Sequence, residues 1–161
     1  MKIAICPGSF DPVTLGHLDI ISRASGLFDK VIVAVLCNMD KKNPSFTVEE
    51  RMELLRQVTA QYDNVEIDSF QGLLVDYAKE KGAVAVVKGL RAVSDFEYEF
   101  QMSMINKKLY PDVETVYLNT SQDYMYLSSS VVKQIASFGG DISNFVPEAI
   151  HDKIVDRLTN M

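Results

Sequence analysis

The sequence predicts a doubly wound α/β fold: a five-stranded parallel sheet with helices on both faces and a helical extension at the C-terminus. Three observations carry this. Short β-rich apolar runs alternate with segments of helical spacing along the whole chain. Two of the runs, residues 31–37 and 83–87, are apolar throughout, as strands covered on both faces are. Strands that alternate with helices pair in parallel, because each crossover returns the chain to the same edge of the sheet.

In chain order, residues 2–6 form the first strand, residues 16–28 a helix and residues 30–37 the second strand, a β-α-β unit. Thr47 followed by Glu50 is a capping box, so a helix opens there and runs to about residue 62. Residues 65–69 are the third strand, and a helix over residues 73–81 stops at Gly82. Residues 83–87 are the fourth strand. The next helix, residues 95–109, ends before Pro111, since a residue preceding proline is driven from helical geometry. Residues 113–118 are the fifth strand. Ser128 or Ser129 caps a helix running to about Phe138, Gly139-Gly140 ends it, and Pro147 suits the first turn of a last helix.

The chain has 161 residues, and no repeat or linker-like tract interrupts the alternation, so one domain over residues 1–161 is expected. With 47% apolar and 24% charged residues the composition argues against disorder. A net charge of −6 disfavours nucleic acid as a partner, since nonspecific binding needs a basic face. The apolar runs fall far short of the roughly 20 residues that span a bilayer. Pro7-Gly8 breaks the first run before it resembles a signal peptide, so no membrane contact and a cytoplasmic location are expected. Cys6 and Cys37 make neither a disulfide framework nor a metal set and are expected to be buried thiols. No cluster of His, Cys and carboxylates suggests a metal, so no protein metal ligand is named.

In open parallel sheets ligands bind beyond the C-terminal ends of the strands, where strand order reverses. Four clusters fall on that rim: residues 7–17, 38–46, 88–91 and 124–130. They bring His17, Lys41, Lys42, Lys88, Arg91 and Lys133 toward one crevice, a basic concentration suited to a polyphosphate. The first loop also opens a helix, whose free amides and positive dipole end favour an anion. It contains neither G-x-G-x-x-G nor G-x-x-x-x-G-K-[ST], which removes the main support for a dinucleotide oxidoreductase or P-loop kinase.

Each residue has a plainer role available. His17 alone could be a solvent-facing residue, Lys41-Lys42 an exposed loop pair, Ser128-Ser129-Ser130 a cap, and Glu97 and Glu99 a solvated helix face. Met102, Met104, Ile105 and Leu109 have helical spacing and suit core or a subunit contact. His151 is assigned no role.

Thr14-x-Gly16-His17 early and Leu127-Ser128-Ser129-Ser130-Val131-Val132-Lys133 late resemble the paired motifs of the nucleotidylyltransferase superfamily, [HT]-x-G-H and S-S-S-x-x-[KR], over essentially the whole chain. More narrowly, residues 7–12, 89–99 and 127–130 look like the bacterial phosphopantetheine adenylyltransferases. The resemblance implies a Rossmann-like fold and adenylyl transfer from ATP to 4′-phosphopantetheine, giving dephospho-coenzyme A and pyrophosphate in the penultimate step of coenzyme A synthesis. It also implies Mg²⁺ with the ATP, a homohexamer and feedback binding of coenzyme A.

Carried over by position, the resemblance places Ser9 against both substrates, Phe10 beside the nucleotide and His17 at the transition state. Lys41 and Lys88 fall on the acceptor phosphate and Leu74 on the pantetheine lining. Gly89, Leu90, Arg91 and Glu99, with Tyr124, Met125, Tyr126, Leu127, Ser128, Ser129 and Ser130, fall on ATP. Lys88 stands where this family commonly has Arg, which keeps the charge but loses the two-pronged grip on phosphate. The expected chemistry is in-line attack by an acceptor phosphate that is already anionic, so no general base is required. His17, Lys41 and Arg91 would act by neutralising charge. A nucleotidylyltransferase for nicotinamide mononucleotide, one joining CTP to a polyol phosphate, and a noncatalytic nucleotide sensor remain the alternatives.

Overall fold

Strands β1 (Ile3–Gly8), β2 (Lys30–Leu36), β3 (Val65–Phe70), β4 (Ala85–Leu90) and β5 (Glu114–Asn119) form one all-parallel sheet in the order β3-β2-β1-β4-β5. The computed structural model describes residues 1–37 and 43–160, with Val93 and Ser94 described by backbone alone. Helices α1 (Leu15–Leu27), α2 (Val48–Thr59), α3 (Leu74–Glu80), α4 (Val93–Leu109), α5 (Ser129–Ser137) and α6 (Glu148–Thr159) complete the doubly wound arrangement.

Strand alternation divides the core. Ala4, Cys6, Val31, Val33, Val35 and Val87 face one side, where Ile20 and Ile21 of α1, Leu54 and Leu55 of α2, Val132 of α5 and Ile150 and Ile154 of α6 cover them. Ile5, Ile32, Ala34 and Val86 face the other side, under Val75, Tyr77 and Ala78 of α3. The C-terminal extension is therefore part of the main core: Ile150 and Ile154 are 0% exposed, each burial contributing about 2 kcal/mol.

Tertiary pairing moves several boundaries. Strand β4 extends through Lys88, Gly89 and Leu90, which the sequence places after the strand, because Tyr117, Leu118 and Asn119 of β5 supply register partners. Strand β1 likewise runs through Pro7, whose missing N–H costs nothing there because β4 pairs with β1 only at Ala4 and Ile5. Helix α2 ends at Thr59 instead of near residue 62, α4 begins at Val93, and Pro147 is the N-cap of α6 instead of its first turn. A 3-10 turn at Gln122–Tyr124 is too short to leave a periodic signal.

The early end of β1·β4 pairing is what makes room for a ligand. Strand order reverses there, and beyond Ile5 and Val86 the two strands part without a ladder between them. A crevice opens between the C-terminal halves of β1 and β4. Two glycines keep its walls close: a Cβ on Gly89 would lie 2.9 Å from Ile20 Cγ1, and one on Gly8 would lie 3.1 Å from the Phe10 ring.

Candidate active site

The loop from β1 to α1 turns sharply at Phe10, whose φ of 48° puts a non-glycine residue in the left-handed region. Burial of the ring at 5% exposure and its edge-to-face contact with His17, centroids 5.0 Å apart, offset that strain. Arg51, a buried α2 residue, donates to the Ser9 carbonyl at 2.9 Å and to the Phe46 carbonyl at 3.0 Å. The turn is thus held from outside as well as from within.

Thr14 caps α1, and His17 closes the capping box in the place Glu or Gln usually takes. The Thr14 hydroxyl accepts the His17 amide at 3.3 Å, while the His17 Nδ1 accepts the Thr14 amide at 3.0 Å. An Nδ1 that accepts from a backbone N–H carries no proton, so the neutral ring bears its hydrogen on Nε2. Burial, and secondly the Arg91 guanidinium, push the imidazole down to about 4, although the residue keeps part of its surface open to the crevice. His17 is therefore a neutral hydrogen-bond donor at physiological pH.

Across the crevice, Lys88 at the end of β4 meets Glu99 of α4, Nζ to Oε2 at 2.9 Å. The contact is electrostatic: Glu99 Oε2 is buried and makes no well-aligned hydrogen bond with any described residue. One turn earlier on α4, Asp95 pairs with Arg91 at 3.3 Å, and Arg91 Nη1 donates to the Leu127 carbonyl at 2.9 Å. Lys88 and Arg91 are thus both held by α4 carboxylates. Opposite them, Ser128 caps α5 by accepting the Val131 amide, and Ser129 donates its hydroxyl to the Pro12 carbonyl at 2.7 Å. The α5 N-terminus is thereby fastened to the β1–α1 loop, its free amides turned toward the crevice end of the sheet.

Of the sequence candidates, Phe10, His17, Lys88, Gly89, Arg91, Glu99, Tyr124, Leu127, Ser128 and Ser129 line one open cavity of about 240 Å³. Ser9, Leu90, Met125, Tyr126 and Ser130 flank it without lining it, and Leu74 packs against the core on the α3 side. Lys41 and Lys42 lie outside the described residues. Lys133 departs from expectation: its ammonium meets the buried Asp11 carboxylate at 2.7 Å and does not line the cavity. Cys6 does line it, but burial pushes its thiol up to about 12, leaving it unreactive. Sequence reasoning misses Arg51, Thr120 and Asp95. For Arg51 the signal is present, since it shares a helical face with Leu54, Leu55 and Val58.

The cytidylyltransferase-like family model matches residues 5–135. A phosphopantetheine adenylyltransferase from Caldanaerobacter subterraneus subsp. tengcongensis is 59% identical over 157 residues, 98% of this chain and 98% of that one. One from Alkaliphilus metalliredigens is 59% identical over 93% of this chain and 95% of its own. One from Clostridium perfringens is 52% identical over 100% and 98%. Among solved structures, a Vibrio parahaemolyticus protein provisionally assigned as a nicotinate-nucleotide adenylyltransferase superposes with a TM-score of 0.71 at 20% identity, over 98% of this chain and 96% of that one. At that identity the likeness concerns the fold.

Proposed function

The chain belongs to the cytidylyltransferase-like family and, within it, to the phosphopantetheine adenylyltransferases, and we propose that the β1/β4 crevice is where its reaction occurs. The enzyme transfers the adenylyl group of ATP to 4′-phosphopantetheine, giving dephospho-coenzyme A and pyrophosphate. The observation that carries the siting is the Thr14 amide on His17 Nδ1, which leaves an Nε2–H donor in a crevice bordered by Lys88, Arg91 and the α5 N-terminus.

An oxygen of the acceptor phosphate attacks the α-phosphorus of ATP as the bond to the bridging oxygen of the departing pyrophosphate breaks. The nucleophile is already an anion, so no proton need be removed. The protein's task is to hold two repelling anions in line and to neutralise charge as it builds on the pentacoordinate phosphorus. His17 supplies a neutral donor to that charge, and Arg91 a fixed cation. Lys41 is proposed, with Lys88, to hold the acceptor phosphate, and Leu74 its pantetheine arm. Ser9 is proposed to meet both substrates, and Phe10 to lie beside the nucleotide. Gly89, Leu90 and Glu99, with residues 124–130, take the nucleotide.

A divalent metal accompanies the nucleotide, and we take it to be Mg²⁺ held by phosphate oxygens and water. The carboxylate that lines the crevice among the described residues, Glu99, faces Lys88. The oligomer is proposed to be a homohexamer; the exposed apolar side chains of α4, Phe100, Met104, Ile105 and Leu109 at 44–57%, suit a subunit contact. Feedback binding of coenzyme A would occupy the same crevice. A cytoplasmic location accords with the finding that, among the described residues, no helix is long and apolar enough to cross a membrane.

Pyrophosphate release from ATP, measured separately with 4′-phosphopantetheine, nicotinamide mononucleotide and glycerol 3-phosphate and repeated with CTP, tests the assignment. Turnover is expected only with ATP and 4′-phosphopantetheine. Turnover with another pair would reassign the substrates, and tight ATP binding without turnover would make the protein a sensor.

A further inference from the structure

Asp11 lies two residues beyond Ser9, is 7% exposed, and is not among the residues that line the crevice. Its carboxylate accepts the Ser45 amide at 3.0 Å and the Phe46 amide at 2.9 Å, and takes the Lys133 ammonium at 2.7 Å. A buried carboxylate is tolerated only when donors replace the water it has lost. Here those donors come from two other segments, the loop entering α2 and the helix α5. Arg51 laces two of the same segments in the opposite sense, from α2 to the carbonyls of Ser9 and Phe46.

We propose that Asp11 is a positioning residue for adenylyl transfer: its carboxylate binds the Ser9–Phe10 turn, the Ser45–Phe46 segment and α5 into one body, and Lys133 serves that carboxylate instead of the polyphosphate. Two stretches that the proposed mechanism uses thereby keep a common register, braced on the Ser45–Phe46 segment: Ser9 and Phe10 precede Asp11, and Lys133 lies one turn after Ser129 on α5. The motif lysine that sequence alone sends to the phosphates is held by a carboxylate behind them. A misplacement of about 1 Å in such a frame costs roughly 10²-fold in rate without removing a single substrate contact.

The proposal rests on the assignment of the chain as an adenylyltransferase, and its test separates the two. Asp11→Asn, Lys133→Met and the double variant are assayed for kcat, for ATP affinity by equilibrium binding, and for amide hydrogen exchange at Ser45 and Phe46. Each single variant is expected to lower kcat about tenfold or more while ATP affinity stays within about threefold, and the double variant to be no worse than the poorer single one. Exchange at the two amides should quicken in all three. Lys133 is one-third exposed, so Lys133→Met keeps the test open if Asp11→Asn does not fold. Loss of ATP affinity in Lys133→Met but not in Asp11→Asn would overturn the proposal by making Lys133 a phosphate ligand. Lower melting temperatures with unchanged kcat would overturn it by making the pair merely structural. If the wild type itself does not turn over 4′-phosphopantetheine, the functional assignment fails, and amide exchange still decides whether Asp11 and Lys133 hold the segment.

Discussion

The Thr14 amide donates to His17 Nδ1 at 3.0 Å, so the residue that completes the N-cap of α1 is the same residue that presents Nε2–H to the crevice. Helix capping and the orientation of the ring in the crevice are one interaction. The backbone sets the tautomer, and the ring can turn away only by giving up the cap.

His17→Ala is accordingly expected to lower kcat by roughly 10²-fold or more with a smaller change in KM, as loss of one preorganised donor does elsewhere. A near-normal kcat would remove His17 from the mechanism.

Because burial, followed by Arg91, holds the His17 imidazole of the free enzyme at about 4 against the ordinary 6.5, kcat/KM should show no imidazole step from about pH 8 down to about pH 5.5, and should fall only as pH approaches 4. The same depression bears on stability. An unfolded chain takes up this proton below about 6.5 and the folded one does not until about 4, so the contribution is complete above 6.5 and declines as pH falls between those values. Nitrogen-15 NMR of the ring, recorded across this pH range, measures the titration directly.

The Lys88–Glu99 contact predicts opposite effects on the two substrates. Glu99→Gln removes the counter-ion from Lys88, so KM for 4′-phosphopantetheine should fall while KM for ATP rises. Lys88→Met should raise the acceptor KM by about tenfold, and Lys88→Arg should keep it near or below the wild-type value, since a forked guanidinium grips phosphate at two points. Steady-state kinetics with each substrate varied in turn checks all three.

At Gly89 a methyl group would lie 2.9 Å from Ile20 Cγ1, and both residues line the crevice. Gly89→Ala should destabilise the fold by about 1–2 kcal/mol through overpacking, seen as a lower denaturation midpoint. An unchanged midpoint would show that Ile20 gives way freely.

Arg157 of α6 grips Glu50 of α2 at 2.6 and 2.8 Å and donates to the Ser45 carbonyl at 2.8 Å. That hydrogen-bonded guanidinium, and next the Thr47 amide, hold the Glu50 carboxyl down at about 2. A depressed carboxylate contributes above its unfolded value of 4.5 and loses the contribution as pH falls through about 2. With both side chains 39% exposed, solvent screening keeps the pair's contribution small. The melting temperature of Glu50→Gln should therefore lie slightly below wild type at neutral pH, and the gap should narrow on acidification.

Local chemistry is the readable part of this chain. Thr47 with Glu50 is a capping pattern whose hydrogen bonds span three residues, and it occurs where the sequence puts it; of the two serines the sequence offers as the α5 cap, the structure uses Ser128. The rim candidates converge because the sheet is parallel, and a parallel sheet results from strands alternating with helices. The end of β4 is not readable locally, because a strand's length depends on the neighbour that pairs with it, and β5 lies some thirty residues further on.

Charge partnership is not readable in the same way. Lysines at positions 88 and 133 look alike as basic residues near a phosphate site, yet Lys88 lines the crevice against Glu99 while Lys133 lies behind it on Asp11, 122 residues away in the chain. Periodicity, caps and breakers act over one or two turns, so residue order alone settles the doubly wound architecture and the rim on which the candidate site lies. Which carboxylate neutralises which cation, and which ring nitrogen keeps its hydrogen, depends on distances of about 3 Å between segments remote in sequence. Such distances exist only once packing has closed the core.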